Sequence, residues 1–495
     1  MDWNLNEPFC HNLPTKANPD SGTILVTGAT GYVGGRLVPE LCNRGYKVRV
    51  LVRSKSPEHA ELWPDAEITV SDVLNYNSLK KALKNVQVAY YLIHSMLLGQ
   101  KDFELADIEA AINFRKASEE NGVKRIIYLG ALGDIRCNLS NHLESRIRVA
   151  NELSKGKTPV TILRAAIILG SGSASFEIIK NLVNNVPVLL VPKWARTKCQ
   201  PISIRDVVKY LVGVLEIEET TGKSFDIGGK TSHSYKEMLR IFSTLLHKKR
   251  IFINFFFSNH SFYGYITSLL TPVPAPIVRA LIEGGSCEVL CQSDEIKQFL
   301  DFDTLSYTEA IVLALDREEQ DRISTRWSDS YPPAHELSIK LNEIDTPVYT
   351  STYSLLTKKN LSSLFNSICR IGGKEGWFHN NWMWRLRGTI DKLLMGVGTS
   401  RGRKSIHSLR INDVIDFWRI EDIKWNKRIL LRAEMKLPGK AWLEFTINNQ
   451  NENNLLSVNA YFQHKGILGK IYWYIFLPFH YIIFNELLKQ IEKRS

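Results

Sequence analysis

The chain is 495 residues long and 44% hydrophobic, too long for one ordinary core, so two or three domains are expected. Its net charge of +12 is uneven: residues 346–495 hold 23 Lys and Arg against 11 Asp and Glu, while the rest balances at 40 against 40. Seven cysteines scattered over this length exclude a disulfide scaffold and fit a reducing compartment, so a cytoplasmic location is expected.

Residues 1–21 contain no apolar h-region and read as a flexible lead, not a signal peptide. From Thr23 to about Lys230 short apolar runs alternate with helical patterns, the βαβ rhythm of a Rossmann-like, doubly wound parallel sheet. Strands are expected at Thr23–Thr27, Lys47–Val52, Glu67–Val70, Val88–Ile93, Arg125–Leu129, Val160–Leu163, Val188–Val191 and Ser224–Ile227. Helices are expected at Tyr32–Asn43, Ser78–Lys84, Phe103–Asn121, Asn141–Ser154 and Ser175–Asn184.

The stretch TILVTGATGYVGGRL (Thr23–Leu37) runs from a strand through a glycine-spaced turn into a helix. Gly28, Gly31 and Gly34 fall at the spacing of a dinucleotide site: a tight turn, close approach of backbone to a pyrophosphate, and close packing of the helix. The helix N-terminus then faces the phosphates. Thr30, Tyr32 and Val33 complete the candidate phosphate-binding turn.

The end of the second strand selects the cofactor, and here it carries Arg53 and Ser54 where an NAD enzyme holds an acid. With Arg36 in the first helix, these residues favour the 2′-phosphate of NADP, with NAD the second choice. Asp72, followed by Val73, either accepts from the adenine amino group or caps the next turn. The fourth strand ends in AYYLIHSM (Ala89–Met96), which puts Leu92 and His94 at the carboxyl edge where such sheets bind ligands. His94 is a catalytic candidate, or a hydrogen-bonded structural histidine.

The TGATGYVG of Thr27–Gly34, LVRS of Leu51–Ser54, SDV of Ser71–Val73, YLGALG of Tyr128–Gly133, LRAAIILGSGSASFE of Leu163–Glu177 and QPISIRDV of Gln200–Val207 together resemble atypical, extended short-chain dehydrogenase/reductases. The resemblance is to the NmrA-like and complex-I-associated NAD(P)-binding kind, covers about residues 22–325, and implies a nicotinamide cofactor. The departure is on the helix after the fifth strand. Where these enzymes typically carry Tyr-x-x-x-Lys, this chain has His142-x-x-x-Arg146. The spacing puts both on one face, with Asn141 and Glu144 as a capping box. Arg146 disfavours the imidazolium, so His142 is expected neutral: a usable base and a poor acid, suited to oxidation more than reduction. Alternatively the pair only lines the site.

Residues 231–327 read as a mainly helical, substrate-side lobe, with candidate helices at Ser234–Leu246, Pro276–Glu283 and Tyr307–Asp321. Cys287 and Cys291 within it read as core thiols, and no Cys/His spacing suits a metal. A polar linker follows at 328–345, around Pro332 and Pro333. The rhythm then changes to strands at Val348–Leu356, Val414–Ile420, Ile429–Met435, Trp442–Ile447 and Leu455–Phe462, closed by an aromatic helix from about Ile471.

The motifs FWRIED (Phe417–Asp422), LRAEMKLPGKAWLEF (Leu431–Phe445) and GKIYWYIFLPFHYIIF (Gly469–Phe484) are similar to a domain of unknown function often fused to such enzymes. That domain resembles the START/polyketide-cyclase helix-grip fold, an α+β arrangement that implies a cavity for an apolar ligand. Tyr472, Trp473, Tyr474, Phe476, Phe479, Tyr481 and Phe484 would wall that cavity or pack a core. Ile471–Phe484, interrupted by Pro478 and His480, is expected not to span a bilayer. The tryptophans near Trp377, Trp382 and Trp384 are expected in a core, and no nucleic-acid motif is present. Ser400–Lys404, SRGRK, would bind an anion or lipid headgroup, so peripheral membrane contact through this basic domain is one expectation.

Three readings follow: an NADP-dependent oxidoreductase acting on a bulky apolar compound, a non-catalytic NADP-binding sensor or assembly factor, and a carrier of hydrophobic ligands.

Overall fold

A computed structural model describes residues 7–53, 57–93, 100–133, 140–285, 287–319, 341, 348–373, 375–394, 396, 398, 409, 411, 413–450 and 453–495. Contacts divide the chain into two units, 1–270 with 276–333 and 271–275 with 334–495.

The N-terminal unit is built on seven strands: β1 (Thr23–Val26), β2 (Lys47–Val52), β3 (Glu67–Val70), β4 (Val86–Tyr91), β5 (Arg125–Ala131), β6 (Val160–Ala165) and β7 (Ser224–Ile227). They pair in the order β7-β6-β5-β4-β1-β2-β3, all parallel. Between them run α1 (Gly34–Asn43), α2 (Pro57–Leu62), α3 (Tyr76–Ala82), α4 (Gln100–Glu120), α5 (Asn141–Ser154), α6 (Ala174–Asn185) and α7 (Ile204–Glu216). A strand buried on both faces needs apolar residues at every position, and Ile24, Leu25 and Val26 are all fully buried. Alternation divides them. Ile24 and Val26 pack with Leu37 of α1 and Leu211 of α7, whereas Leu25 packs with Phe114 of α4 and Leu153 of α5. The strand order reverses between β1 and β4, which opens a crevice at their carboxyl ends.

Three expectations are corrected. Val188–Val191 does not join this sheet; it pairs in parallel with Ile251–Asn254. Helix α7 was not expected, although IRDVVKYLVGVLE is amphipathic, with Arg205, Lys209 and Glu216 on one partly exposed face; Ser203 caps it by accepting from Arg205 N at 3.2 Å. Residues 7–21 are packed, not a flexible lead: Phe9, Cys10 and Leu13 are buried. Glu40 accepts from Phe9 N at 2.6 Å and Cys10 N at 3.0 Å, and Arg44 holds Thr15 O at 2.7 Å.

The helical lobe holds α8 (Tyr235–Leu245), α9 (His260–Leu270), α10 (Ala275–Gly284) and α11 (Tyr307–Glu319). Its core joins Phe242, Tyr307 and Ile311 to Phe176 of α6. A full capping box, Ser234 with Glu237, starts α8.

The C-terminal unit is a separate antiparallel sheet of β8 (Tyr349–Thr357), β9 (Val414–Ile415), β10 (Trp418–Lys424), β11 (Arg428–Ala433), β12 (Gly439–Gln450) and β13 (Asn453–His464), ordered β8-β13-β12-β11-β10-β9. Helices α12 (Leu361–Cys369), α13 (Asn381–Leu393) and α14 (Gly466–Lys493) accompany it, the first two unforeseen from the sequence. Trp377 stacks on Trp384 at 4.2 Å and donates to Asp416 Oδ2 at 2.9 Å. Both are buried as expected, but Trp382 is exposed.

Helix α14 runs unbroken through Pro478 for 28 residues, by length and composition enough to cross a membrane. This corrects the shorter, interrupted segment expected. Its aromatics also divide. Trp473 stacks on Tyr349 and Phe462, each at 5.8 Å, and Phe484 meets Tyr353 at 5.7 Å. Tyr474 and Tyr481 flank the sheet-facing side, edge-on to Tyr349 at 6.0 Å and Tyr353 at 6.2 Å, and with Phe479 they are largely exposed. They cannot wall an internal cavity.

Candidate functional site

The glycine turn sits at the carboxyl end of β1, at the strand-order reversal. Gly28 has φ +66°, and a Cβ there would stand 2.6 Å from Leu92 O. A Cβ on Gly34 would stand 2.4 Å from Gly28 O. Both positions therefore require glycine. Gly31 N donates to Gly28 O at 2.9 Å, closing the turn, and Gly35 N donates to Gly31 O at 3.0 Å. Helix α1 has no side-chain N-cap, so its positive end meets the crevice without a side-chain oxygen over it. Backbone curvature and an uncapped helix end both fit the pyrophosphate of a dinucleotide.

Thr27, inside the glycine motif, has a role that the spacing of the glycines does not reveal. Its Oγ1 donates to Tyr90 O at 2.9 Å and accepts from Leu92 N at 3.1 Å, pinning the end of β1 to β4. A threonine closing a strand before the first glycine was the available signal.

Arg36 departs from its expected role. It is 4% exposed; Nη1 donates to Tyr32 O and Nη2 to Ser171 O, each at 2.9 Å, and its guanidinium stacks on the Tyr32 ring at 4.1 Å. It clamps the LGSGS loop to the glycine turn, so its donors are already committed to carbonyls. Arg53 lies exposed at the end of β2, where a 2′-phosphate would arrive; Ser54 lies outside the described residues. Asp72 Oδ1 accepts from Leu74 N at 3.0 Å, the turn-capping alternative. Thr30, Val33, Val73 and Leu92 line the turn and the neighbouring strand ends, each partly exposed.

His94 lies outside the described residues. His142 is half-buried in the first turn of α5. That helix is capped by Ser140, which accepts from Leu143 N at 3.3 Å, and not by the expected Asn141 box; Glu144 pairs instead with Arg148 one turn on. Arg146 is buried and holds the ends of two strands, donating to Ile93 O at 3.2 Å and to Leu129 O. Its guanidinium lies 5.0 Å from the centre of the Tyr128 ring, and Tyr128 Oη donates to Arg146 O at 3.1 Å. Arg146 is thus a brace beneath the site, which corrects its placement as a reacting partner of His142.

The glycine turn and α5 are joined through two consecutive residues. Leu92 faces Gly28, and Ile93 is held by Arg146. The arrangement can bind a dinucleotide across β1 and β4 and set one imidazole, His142, at the same edge. A polar cavity of about 690 Å³ lies elsewhere, at the end of β7 among Gln200, Asp226, Asp294 and Asp301. Among the described residues no group of His, Cys, Asp and Glu could hold a metal ion.

Residues 20–263 match the NmrA-like family, whose NAD(P)-binding, oxidoreductase-like character agrees with the strand order and the glycine turn. Residues 344–487 match a family described as a protein of unknown function, DUF2867; the helix-grip likeness has no further support. Divinyl chlorophyllide a 8-vinyl-reductase, chloroplastic, of Cucumis sativus is 25% identical over 229 residues, 43% of this chain and 54% of its own length. NADH dehydrogenase [ubiquinone] 1 alpha subcomplex subunit 9, mitochondrial, of Arabidopsis thaliana is 26% identical over 226 residues, 43% of this chain and 56% of its own. The chain spans about half the length of these curated relatives. Their names are organellar, so they do not bear out a cytoplasmic location. Among solved structures, UDP-glucuronic acid 4-epimerase from Bacillus cereus in complex with NAD is 18% identical, with a TM-score of 0.47, covering 61% of this chain and 99% of that one.

Proposed function

We propose that the N-terminal unit binds NADP and uses it in oxidoreduction of a bulky apolar compound at the carboxyl edge of β4 and β5. The observation that carries this reading is the glycine turn, whose backbone excludes any Cβ at Gly28 and Gly34 beside an uncapped helix end. When bound, the nicotinamide supplies or accepts hydride. Arg53 pairs with the 2′-phosphate, Thr27 fixes the edge of the crevice, and Arg146 fixes the strand ends on which substrate rests. His142 is the base that takes the proton of a substrate hydroxyl.

Titration with NADPH and NADH tests the first half, with tighter NADPH binding expected and equal affinities refuting the NADP assignment. Turnover tests the second. Once retained ligands have been identified by mass spectrometry of the native protein, His142→Ala should abolish their conversion while NADPH still binds.

A second reading has its own support. Arg146, which stands where the resembling enzymes typically carry the lysine that activates a catalytic tyrosine, is committed to two main-chain carbonyls, which favours a protein that binds NADP as a signal and does not consume it. NADPH that stays reduced across a panel of apolar aldehydes, ketones and quinones would favour this sensor.

A further inference from the structure

Helix α14 has two apolar faces, and the fold covers one. Trp473 and Phe484 pack on β8 and β13, and Ile491 is buried beside α12, where its carbonyl accepts from Ser367 Oγ at 2.9 Å. On the opposite side Ile467, Ile471, Ile475 and Ile482 recur at helical spacing, with Tyr474 at their flank against Tyr349, and all five are 49–76% exposed. Helix α13 carries a second such stripe, Trp382, Leu386, Ile390 and Leu393, 42–64% exposed. The two helices meet where the Arg387 guanidinium lies beside the Tyr472 hydroxyl. Large apolar side chains aligned on adjoining helices are more than the scattered exposure of an ordinary surface.

The charge around these stripes has one sign. Arg385, Lys436, Lys465 and Lys470 are exposed there, and Arg387 Nη2 donates to Lys436 O at 2.8 Å, placing that lysine beside α13. No acidic residue occurs from Asn453 to Asn485. Asp391 is buried, tied to Lys436 N at 2.6 Å and Gly398 N at 2.8 Å.

We propose that this face of the C-terminal unit docks on an anionic lipid surface. The stripes of α13 and α14 lie in the boundary between headgroups and acyl chains, and Arg385, Lys436, Lys465 and Lys470 meet lipid phosphates. Trp382 and Tyr474 suit that boundary, since each is apolar in body with a polar edge. A second copy of the chain would bring the same positive face and repel it. Crossing the bilayer would strip Trp473 and Phe484 from the sheet, and the outer stripe of α14 turns polar at Asn485, Glu486 and Lys489, so the helix lies on the surface. This inference stands apart from the nucleotide reading.

The test is co-sedimentation of the full-length protein with phosphatidylcholine vesicles containing about a third phosphatidylglycerol, compared with phosphatidylcholine alone. Wild type should partition about tenfold more strongly onto the anionic vesicles, and lose that excess at high salt. I471E/I475E and K465E/K470E should each reduce binding about tenfold, with melting temperature and NADPH binding unchanged. If a substitution on α14 lowers the melting temperature, W382S/L386S reads the same loss from α13. Equal partition of wild type and all variants overturns the proposal. So does a wild type that ignores vesicles and forms a dimer dissolved by I471E/I475E, which would assign the face to a second copy.

Discussion

Gly34 rests so closely on Gly28 that a methyl group on Gly34 would stand 2.4 Å from the Gly28 carbonyl oxygen and 2.8 Å from Ala29 Cα. Backbone on both sides cannot yield as a flexible side chain would. Gly34→Ala is therefore expected to cost about 1–3 kcal/mol by overpacking and to open the turn, weakening NADPH binding. Thermal melting and NADPH titration of the one variant check both effects.

Arg36 and Arg53 looked equivalent in the sequence, as two guanidinium groups near a phosphate site. Burial separates them. Arg53→Asp should lose the preference for NADPH over NADH by about ten- to a hundredfold, the worth of one charge-assisted hydrogen bond plus a new repulsion. Its melting temperature should hold. A preserved NADPH preference would remove Arg53 from cofactor selection.

Arg36→Met should do the opposite. It leaves Tyr32 O and Ser171 O without their donor, for a loss of about 2–4 kcal/mol in folding stability. The ratio of NADPH to NADH affinity should not change, although both weaken together as the LGSGS loop loosens. Urea denaturation with parallel titrations of both cofactors distinguishes this from direct phosphate recognition, in which only NADPH would suffer.

The sheet of the N-terminal unit was legible because its strands are buried on both faces, so runs such as Ile24–Val26 are wholly apolar and the glycines punctuate them. Helix α7 was legible by its own patterning, since Arg205, Lys209 and Glu216 line one partly exposed face of an otherwise buried helix, yet it was not among the expected elements. The glycine turn was legible because its constraint is local, set by residues six apart. The commitments of Arg36 and Arg146 were not, because their acceptors, Ser171, Ile93 and Leu129, lie 135, 53 and 17 residues away and are carbonyls any residue would provide. In the C-terminal unit the aromatic content of α14 was plain, but apolar residues run all round the helix, so no single face stands out as the one that meets the sheet.

Arg146 and His142 share a helix face but differ in what their loss should do. Arg146→Lys keeps the charge and loses the forked geometry that reaches Ile93 O and Leu129 O, so it should lower the melting temperature and weaken NADPH binding through the displaced end of β4. His142→Ala should leave both intact. A His142→Ala protein that melts like wild type and fails only in turnover marks a reacting group, whereas one that turns over normally leaves His142 as lining.

His480 makes stability of the C-terminal unit depend on pH. Its ring lies 5.3 Å from Trp473 and 5.2 Å from Phe484, and burial lowers its pKa from 6.5 to about 4. The folded state therefore binds the proton less readily than the unfolded chain. Between about pH 6.5 and 4 the unfolded state carries more protons, so stability present above pH 6.5 falls as acid is added, by on the order of 3 kcal/mol across the window. Carboxylates titrate in part of that range, so the measurement is a difference: wild type against His480→Phe, each unfolded by denaturant at several pH values. The phenyl ring fills the same aromatic slot without titrating, and the gap between the two proteins should widen in favour of the variant as pH drops through 6.5. A constant gap would mean that the imidazole is solvated enough to take its proton in the folded state.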